Sequence, residues 1–156
     1  VKTIMLIHEK LYNTAEIRHI HLSSYIDDLL QSIFSFFPET PIILETSIED
    51  VTLPTKAVVS IGLILNELAT NAIKHAFPGA ETPRFRAELR REGDSKELVL
   101  KVVNNGSKFP EGVDFETTRS LGLRLISSLV RQIDGILQLQ REPETEFTIR
   151  LPAHTP

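Results

Sequence analysis

The order of helical and strand patterns along the 156 residues predicts an α+β fold, a mixed sheet of about five strands covered on one face by helices. Three observations carry it. Two helical stripes, one running from Tyr25 and one from Val58, precede two alternating segments around a Gly-containing turn, and a further helical stripe precedes two short closing strands. Hydrophobic residues make up 41% of the chain, enough to bury one core, and no repeat or low-complexity linker divides it.

Residues 1–15 open the chain with Val1, Ile4, Met5, Leu11, Tyr12 and Ala15 at mixed three- and four-residue steps, the rhythm of an amphipathic or coiled-coil helix. Val1 falls inside that pattern without a capping residue, which predicts a piece of a longer protein. His19-Ile20-His21 reads as a loop leading into a second helix. Ser23 is its expected N-cap, Tyr25, Ile26, Leu29, Leu30, Ile33, Phe36 and Phe37 form its buried stripe, and Pro38 ends it. Residues 42–47 are β-branched enough for a strand.

Leu53-Pro54 opens the longest helical pattern, with Val58, Ile61, Leu65, Leu68 and Ala72 along one side and Phe77-Pro78-Gly79 as its stop. Segments 85–90 and 98–103 alternate around Glu92-Gly93-Asp94-Ser95 and predict an antiparallel hairpin. A loop over 104–119 leads to an amphipathic helix at 121–133, closed by Asp134-Gly135, and strands at 136–140 and 147–151 finish the fold.

Composition removes several classes of function. Seventeen basic against 21 acidic residues give a net charge of -4, not the electrostatic footprint of a nucleic-acid binder. The absence of cysteine excludes disulfides, thiolate metal sites and a catalytic thiol, and makes the cytosol the default compartment. The longest apolar run, 57–65, is interrupted by Ser60 and stops well short of the ~20 residues that span a bilayer. With seven glycines, neither G-x-x-x-x-G-K-[ST] nor G-x-G-x-x-G occurs, so any nucleotide is held some other way.

Three clusters carry candidate chemistry. On the long helix Glu67, Asn71, Lys74 and His75 share a face turned away from the apolar stripe. There an amide oxygen can ligate Mg²⁺, an ammonium can meet a phosphate and a carboxylate can accept a proton; a solvated helix face fits the same pattern. Asn104-Asn105-Gly106 follows a strand, where an amide oxygen can accept from an exocyclic amine and Gly106 lets the backbone approach a flat ring; an ordinary Asn-Gly turn is the alternative. Ser120-Leu121-Gly122-Leu123 enters a helix whose free N–H groups suit an anion, or simply a surface helix capped by Ser120.

Together, in this order, the clusters resemble a known family. N-E-L-A-T-N-A-I-K-H-A-F (66–77) is similar to the N-box of the GHKL ATPases, N-N-G-S-K-F-P (104–110) resembles their first glycine box, and S-L-G-L-R-L-I (120–126) their second. L-I-H-E-K-L-Y (6–12) resembles the end of the dimerisation helices in sensor histidine kinases of the second dimerisation and phosphotransfer type. The resemblance implies a Bergerat-type two-layer α/β sandwich over 21–156, with a lid at 107–119 and the stub of a dimerisation helix at 1–20. It implies ATP and Mg²⁺ as ligands, with Asn71 on the metal, Lys74 and His75 near the phosphates or ribose, and Glu67 as general base or polariser. Asn104 then meets the adenine amine with Gly106 beside it, Ser120, Leu121, Gly122 and Leu123 form the phosphate loop, and Thr145 supports the adenine site. In the intact kinase, a homodimer, the γ-phosphoryl group passes to a histidine upstream of Val1 and on to a response regulator, in the cytoplasm or from a membrane anchor.

Three positions depart from the family pattern: Asn104 stands for its aspartate, Lys108 for its second glycine, and Glu144 for the glycine before Thr145. They motivate a rival reading, a non-catalytic domain kept as a dimeric interaction module. Another GHKL ATPase or serine kinase is a further alternative. His8, His19 and His21 do not stand in a phosphoacceptor motif: His8 is expected to pack or hydrogen-bond on the first helix, His19-Ile20-His21 to be a lead-in and not a metal pair, and His154 to be exposed in the tail.

Overall fold

A computed structural model describes residues 19–94, 97–110 and 121–152, with only the backbone given for His19, Ile20 and Leu121. The expected helix over 1–15 lies outside the described residues. In chain order the elements are β1 (His19–His21), α1 (Leu22–Ser35), β2 (Ile43–Ile48), β3 (Thr52–Pro54), α2 (Thr55–Asn71) continued by a π-helical turn (Ala72–Ala76), β4 (Arg84–Arg91), β5 (Glu97–Asn104), α3 (Leu121–Gln132), β6 (Ile136–Gln140) and β7 (Thr145–Pro152).

The main sheet has five strands in the order β2-β4-β5-β7-β6. Its β2–β4 pair is parallel and the other three pairs are antiparallel, so it is the mixed sheet the pattern predicts. A parallel pair needs a long crossover between its strands, and α2 supplies it. The cross-strand register then sorts the side chains: Phe85 stands opposite Asn104, Ala87 opposite Val102 and Leu89 opposite Leu100, while Val102 faces Phe147 and Leu100 faces Ile149. These residues are buried against the helices, whereas Arg84, Arg86 and Arg90 alternate onto the exposed face.

Leu22, Ile26, Leu30 and Ile33 of α1 and Val58, Ile61, Leu65 and Leu68 of α2 complete the core, each of these buried side chains contributing ~1.5–3 kcal/mol on transfer from water. The stripe on α2 is the one its spacing predicts. Thr55–Ala76 is 22 residues long and contains an 18-residue window with a mean hydropathy of 1.2, long and apolar enough to cross a membrane by length and composition alone, although its uninterrupted apolar run is short. Here 61% of that window is buried inside the fold, as befits the central core helix.

Other boundaries also differ from the sequence reading. Helix α1 begins one residue before Ser23, with His21 at the N-cap and no side-chain cap bond, and it ends at Ser35, leaving Phe36 exposed. Residues 19–21 are not a loop but a strand, pairing His19 with Pro54 and His21 with Thr52 in a separate two-stranded sheet. A backbone bond from Leu22 N–H to the Val51 carbonyl, 3.0 Å, continues this junction. Strand β7 starts at Thr145, two residues earlier than its apolar pattern suggests, because Asn104 and Thr145 extend the β5–β7 ladder with polar side chains.

Candidate functional site

Four segments distant in sequence enclose a cavity of about 470 Å³. Helix α2 contributes Leu68, Asn71 and Ala72, and its π-helical turn adds His75 and Ala76. Strands β5 and β7 contribute Asn104, Thr145 and Phe147; α3 contributes Leu123; and the residues after β5 contribute Ser107, Lys108, Phe109 and Pro110. A cavity of this size, mostly apolar with a few convergent polar groups, suits a small organic ligand.

The π-helical turn is closed by Phe77 N–H donating to the Ala72 carbonyl at 2.8 Å, five residues back. This wider turn rotates the residues after Asn71 away from ideal α-helical phase. Asn71 and His75 line the cavity, whereas Lys74 is exposed and does not, so the four polar residues expected on one face are divided. Glu67, half-buried one turn before Asn71, also stands outside the cavity wall.

Asn104 is 6% exposed and Thr145 4%, opposite one another on β5 and β7. The Asn104 Nδ2 donates to the Asn105 carbonyl at 2.9 Å, which uses one amide hydrogen and leaves Oδ1 as the acceptor end of the side chain. Thr145 Oγ1 accepts from the Phe109 N–H at 3.3 Å. Asn105 turns the other way, its Nδ2 donating to the Thr82 carbonyl at 2.8 Å and its Oδ1 accepting from Arg84 N–H at 2.7 Å.

Gly106 has φ +96°, a conformation that other residues rarely adopt. A β-carbon there would collide with the Ala76 carbonyl group, whose carbon lies 2.8 Å away, and Ser107 N–H donates to that same carbonyl at 2.8 Å. Its close approach in this structure is to the end of the α2 helical column, where flat-ring approach was expected. At Gly122 the nearest atom to an added β-carbon is Glu67 Oε2, at 2.6 Å, so the α2 carboxylate reaches the first turn of α3. Ser120 lies outside the described residues, as does most of the expected lid, of which 107–110 are described.

The sequence reading did not single out Phe147, and it placed Lys108 and Phe109 in the expected glycine box and lid without naming them as ligand contacts. Phe147 carried a signal, since it is the first large apolar residue of the closing strand; Phe109 and Lys108 sit in an irregular segment where no periodicity points inward. The Asn71 side chain makes no hydrogen bond or ion pair among the described residues, and it lines the cavity. No group of three or more His, Cys, Asp or Glu side chains able to hold a metal occurs among the described residues. A single amide is nevertheless an adequate protein ligand for Mg²⁺, which keeps several waters and relies on substrate phosphates.

The family model described as histidine kinase-, DNA gyrase B-, and HSP90-like ATPase matches residues 57–155, and one described as histidine kinase matches residues 1–37. Sensor histidine kinase PdtaS of Mycobacterium tuberculosis is 28% identical over 156 residues, which cover 97% of this chain and 31% of the relative. Blue-light-activated histidine kinase 2 of Erythrobacter litoralis is 28% identical over 123 residues, covering 78% and 35%. The chain thus spans about a third of the length of these curated relatives.

Among solved structures, the histidine kinase domain of the Erythrobacter litoralis EL346 blue-light activated histidine kinase superposes with a TM-score of 0.85 at 22% identity, covering 97% of this chain and 74% of that one. The catalytic domain of histidine kinase ThkA gives 0.64 at 19% identity, with 86% and 95% covered. These likenesses establish the fold. With a family model over more than half of its length and a histidine kinase model over its first 37 residues, the chain belongs to the histidine kinase-, DNA gyrase B-, and HSP90-like ATPase family.

Proposed function

We propose that this chain binds ATP with Mg²⁺ in the cavity between α2, α3 and the ends of β5 and β7. In the intact kinase, a cytoplasmic-facing homodimer, it transfers the γ-phosphoryl group to a histidine of the dimerisation segment, for relay to the receiver domain of a response regulator. The observation that carries this reading is the convergence of Asn71 and His75 from α2 with Asn104 and Thr145 from the sheet in one cavity, beside the Glu67–Gly122 contact.

Each residue then has a task set by its chemistry. The Asn104 Oδ1 accepts from the adenine amine, an exchange of one neutral hydrogen bond for another. Phe109 and Phe147 supply apolar walls for the base, and Asn71 offers the amide oxygen that a phosphate-bound Mg²⁺ takes. Bound Mg²⁺ supplies neutralisation of phosphate charge. Lys74, exposed at the end of the helix, adds positive potential near the phosphates, with His75 lining the cavity beside it, and Glu67 accepts a hydrogen bond from the attacking imidazole. Residues 1–20 form the end of the dimerisation segment and 21–156 the catalytic domain.

Calorimetric titration with ADP and ATP, with and without Mg²⁺, tests the site. Binding that weakens in Asn104→Ala, with a Mg²⁺ dependence that disappears in Asn71→Ala, is the expected result. A second reading, an interaction module that has lost its nucleotide, is favoured by Lys108 at a glycine position and its ion pair with Glu142 near the cavity. A folded sample giving no heat and no competition with any adenine nucleotide would move the assignment to that module.

A further inference from the structure

The segment after β5 is fastened to the turn between β6 and β7 by several independent contacts. The Arg141 side chain donates through Nε and Nη2 to the Pro110 carbonyl, at 3.2 and 3.1 Å. Its guanidinium carbon lies 5.7 Å from the centre of the Phe109 ring, within reach of a cation–π attraction. That ring meets Phe147 edge-on, with centroids 5.7 Å apart and planes at 90°. The Phe109 N–H reaches Thr145, and Lys108 pairs with the Glu142 carboxylate one residue beyond Arg141. Gln140 Nε2 braces the same turn by donating to the Glu142 carbonyl at 2.7 Å.

Lys108, Phe109 and Pro110 line the nucleotide cavity; Arg141 is not among its lining residues. Its guanidinium grips the wall from behind, by a planar fork on one carbonyl and by its positive face on one ring. We propose that Arg141 is a positioning residue for nucleotide binding, which holds Phe109 against the base end of the cavity beside Asn104 and Thr145. The inference deepens the ATP-binding reading and rests on it. Lys108 adds its pair with Glu142 to the same junction, so Lys108 and Arg141 together tie the segment to the turn between β6 and β7 as a preorganised wall.

Because Phe109 serves the base and not the phosphates, Arg141 acts equally on adenosine and ADP. Titration of the 156-residue chain compares wild type, Arg141→Ala, Arg141→Lys and Asn104→Ala with both ligands. Arg141→Ala is expected to weaken adenosine and ADP by the same factor, about five- to tenfold, and Arg141→Lys to fall between it and wild type because a lysine keeps the cation and loses the fork. Wild-type affinity in Arg141→Ala, or a loss confined to ADP, overturns the inference while leaving the nucleotide site intact. A wild-type chain that binds neither ligand overturns the ATP reading itself and this role with it.

A second measurement guards against a variant that merely misfolds. The chain contains no tryptophan, so Phe109→Trp provides a single fluorescent reporter in the wall. Adding Arg141→Ala to it should raise acrylamide quenching with unchanged far-ultraviolet circular dichroism, and Glu142→Gln should raise it less. Equal quenching with and without Arg141 overturns the proposed grip.

Discussion

Glu67 Oε2 stands 2.6 Å from the place a β-carbon on Gly122 would take, so a carboxylate from α2 rests against the first turn of α3. The glycine is therefore needed for the contact between two helices as much as for any approach by a phosphate. Free N–H groups in a first helical turn favour a negative group, and in this structure Glu67 is the nearest one to Gly122.

Gly122→Ala separates these roles. The methyl group meets the tip of a flexible side chain, so Glu67 can swing aside and stability should change by less than ~1 kcal/mol. In the proposed nucleotide site, affinity should fall about tenfold, because the methyl and the displaced carboxylate would crowd phosphates meeting the first turn of α3. Thermal unfolding and ADP calorimetry on the same sample check the pair; an unaltered affinity would falsify the assignment of Gly122 to the phosphate end.

Gly106→Ala should behave in the opposite manner. Its added β-carbon meets backbone, the Ala76 carbonyl, at φ +96°, and neither partner can rotate away. A cost of about 1–3 kcal/mol is expected, a Tm lower by roughly 3–10 °C. Gly79→Ala is the control, because φ is +83° there but nothing lies within 4 Å of the added atom, and its Tm should fall less. Equal losses at the two positions would show that the Ala76 contact costs nothing.

Tyr25 and Gly62 make a third test. The Tyr25 hydroxyl is buried without a hydrogen-bond partner among the described residues, and a β-carbon on Gly62 would come within 2.5 Å of it. Tyr25→Phe removes an unsatisfied polar atom and should leave stability equal or up to ~1 kcal/mol higher. Gly62→Ala should cost about 1–3 kcal/mol in the wild type and clearly less in the Tyr25→Phe background, the coupling a double-mutant cycle reads directly.

Alkaline pH probes the same hydroxyl. Burial raises the Tyr25 phenol well above its ordinary value of 10.0. Below that pH both folded and unfolded chains hold the proton, and Tyr25 introduces no pH dependence. Above it the unfolded phenol ionises while the folded one does not, so the unfolded state binds fewer protons and stability declines as pH rises. Urea melts on either side of about pH 10 should show a steeper decline for wild type than for Tyr25→Phe. Parallel declines would count against a buried, proton-holding phenol.

Asn104→Asp restores the acid found in the family pattern, and the local geometry predicts a penalty for it. The Nδ2 donor to the Asn105 carbonyl becomes a carboxylate oxygen facing a carbonyl oxygen at a site only 6% exposed. The folded carboxyl should hold its proton more tightly than the unfolded one. The cost, about 1–3 kcal/mol, is thus present at neutral pH and shrinks as pH falls toward roughly 4. Stability curves at both pH values for the variant and wild type decide it; a constant difference would rule out the buried charge as the cause.

Much of the scaffold was legible before the structure. The stripe of Val58, Ile61, Leu65 and Leu68 declares which side of α2 is buried, and the alternation of Phe85, Ala87 and Leu89 does the same for β4. Phe77-Pro78-Gly79 marks the end of the helical column, and its Gly79 has the positive φ such a stop uses. Asn71, His75, Asn104 and Thr145, selected by resemblance to a family, do meet in one cavity. Lys74 does not join them because the π-helical turn changes the helical phase between Asn71 and Phe77, and no propensity distinguishes that turn from regular helix.

The amino-acid sequence by itself determined the order of the three described helices and the five strands of the main sheet, and the face each buries, because those depend on neighbours three or four residues away in a helix and two away in a strand. The tertiary structure alone decided that His19–His21 pairs with Thr52–Pro54, that Glu67 meets Gly122, and that Arg141 grips Phe109. Each of these joins segments more than thirty residues apart through a backbone hydrogen bond, a fitted gap or a ring face, and no local periodicity encodes such partners. They form when packing of the whole core fixes where the loop ends and helix termini stand.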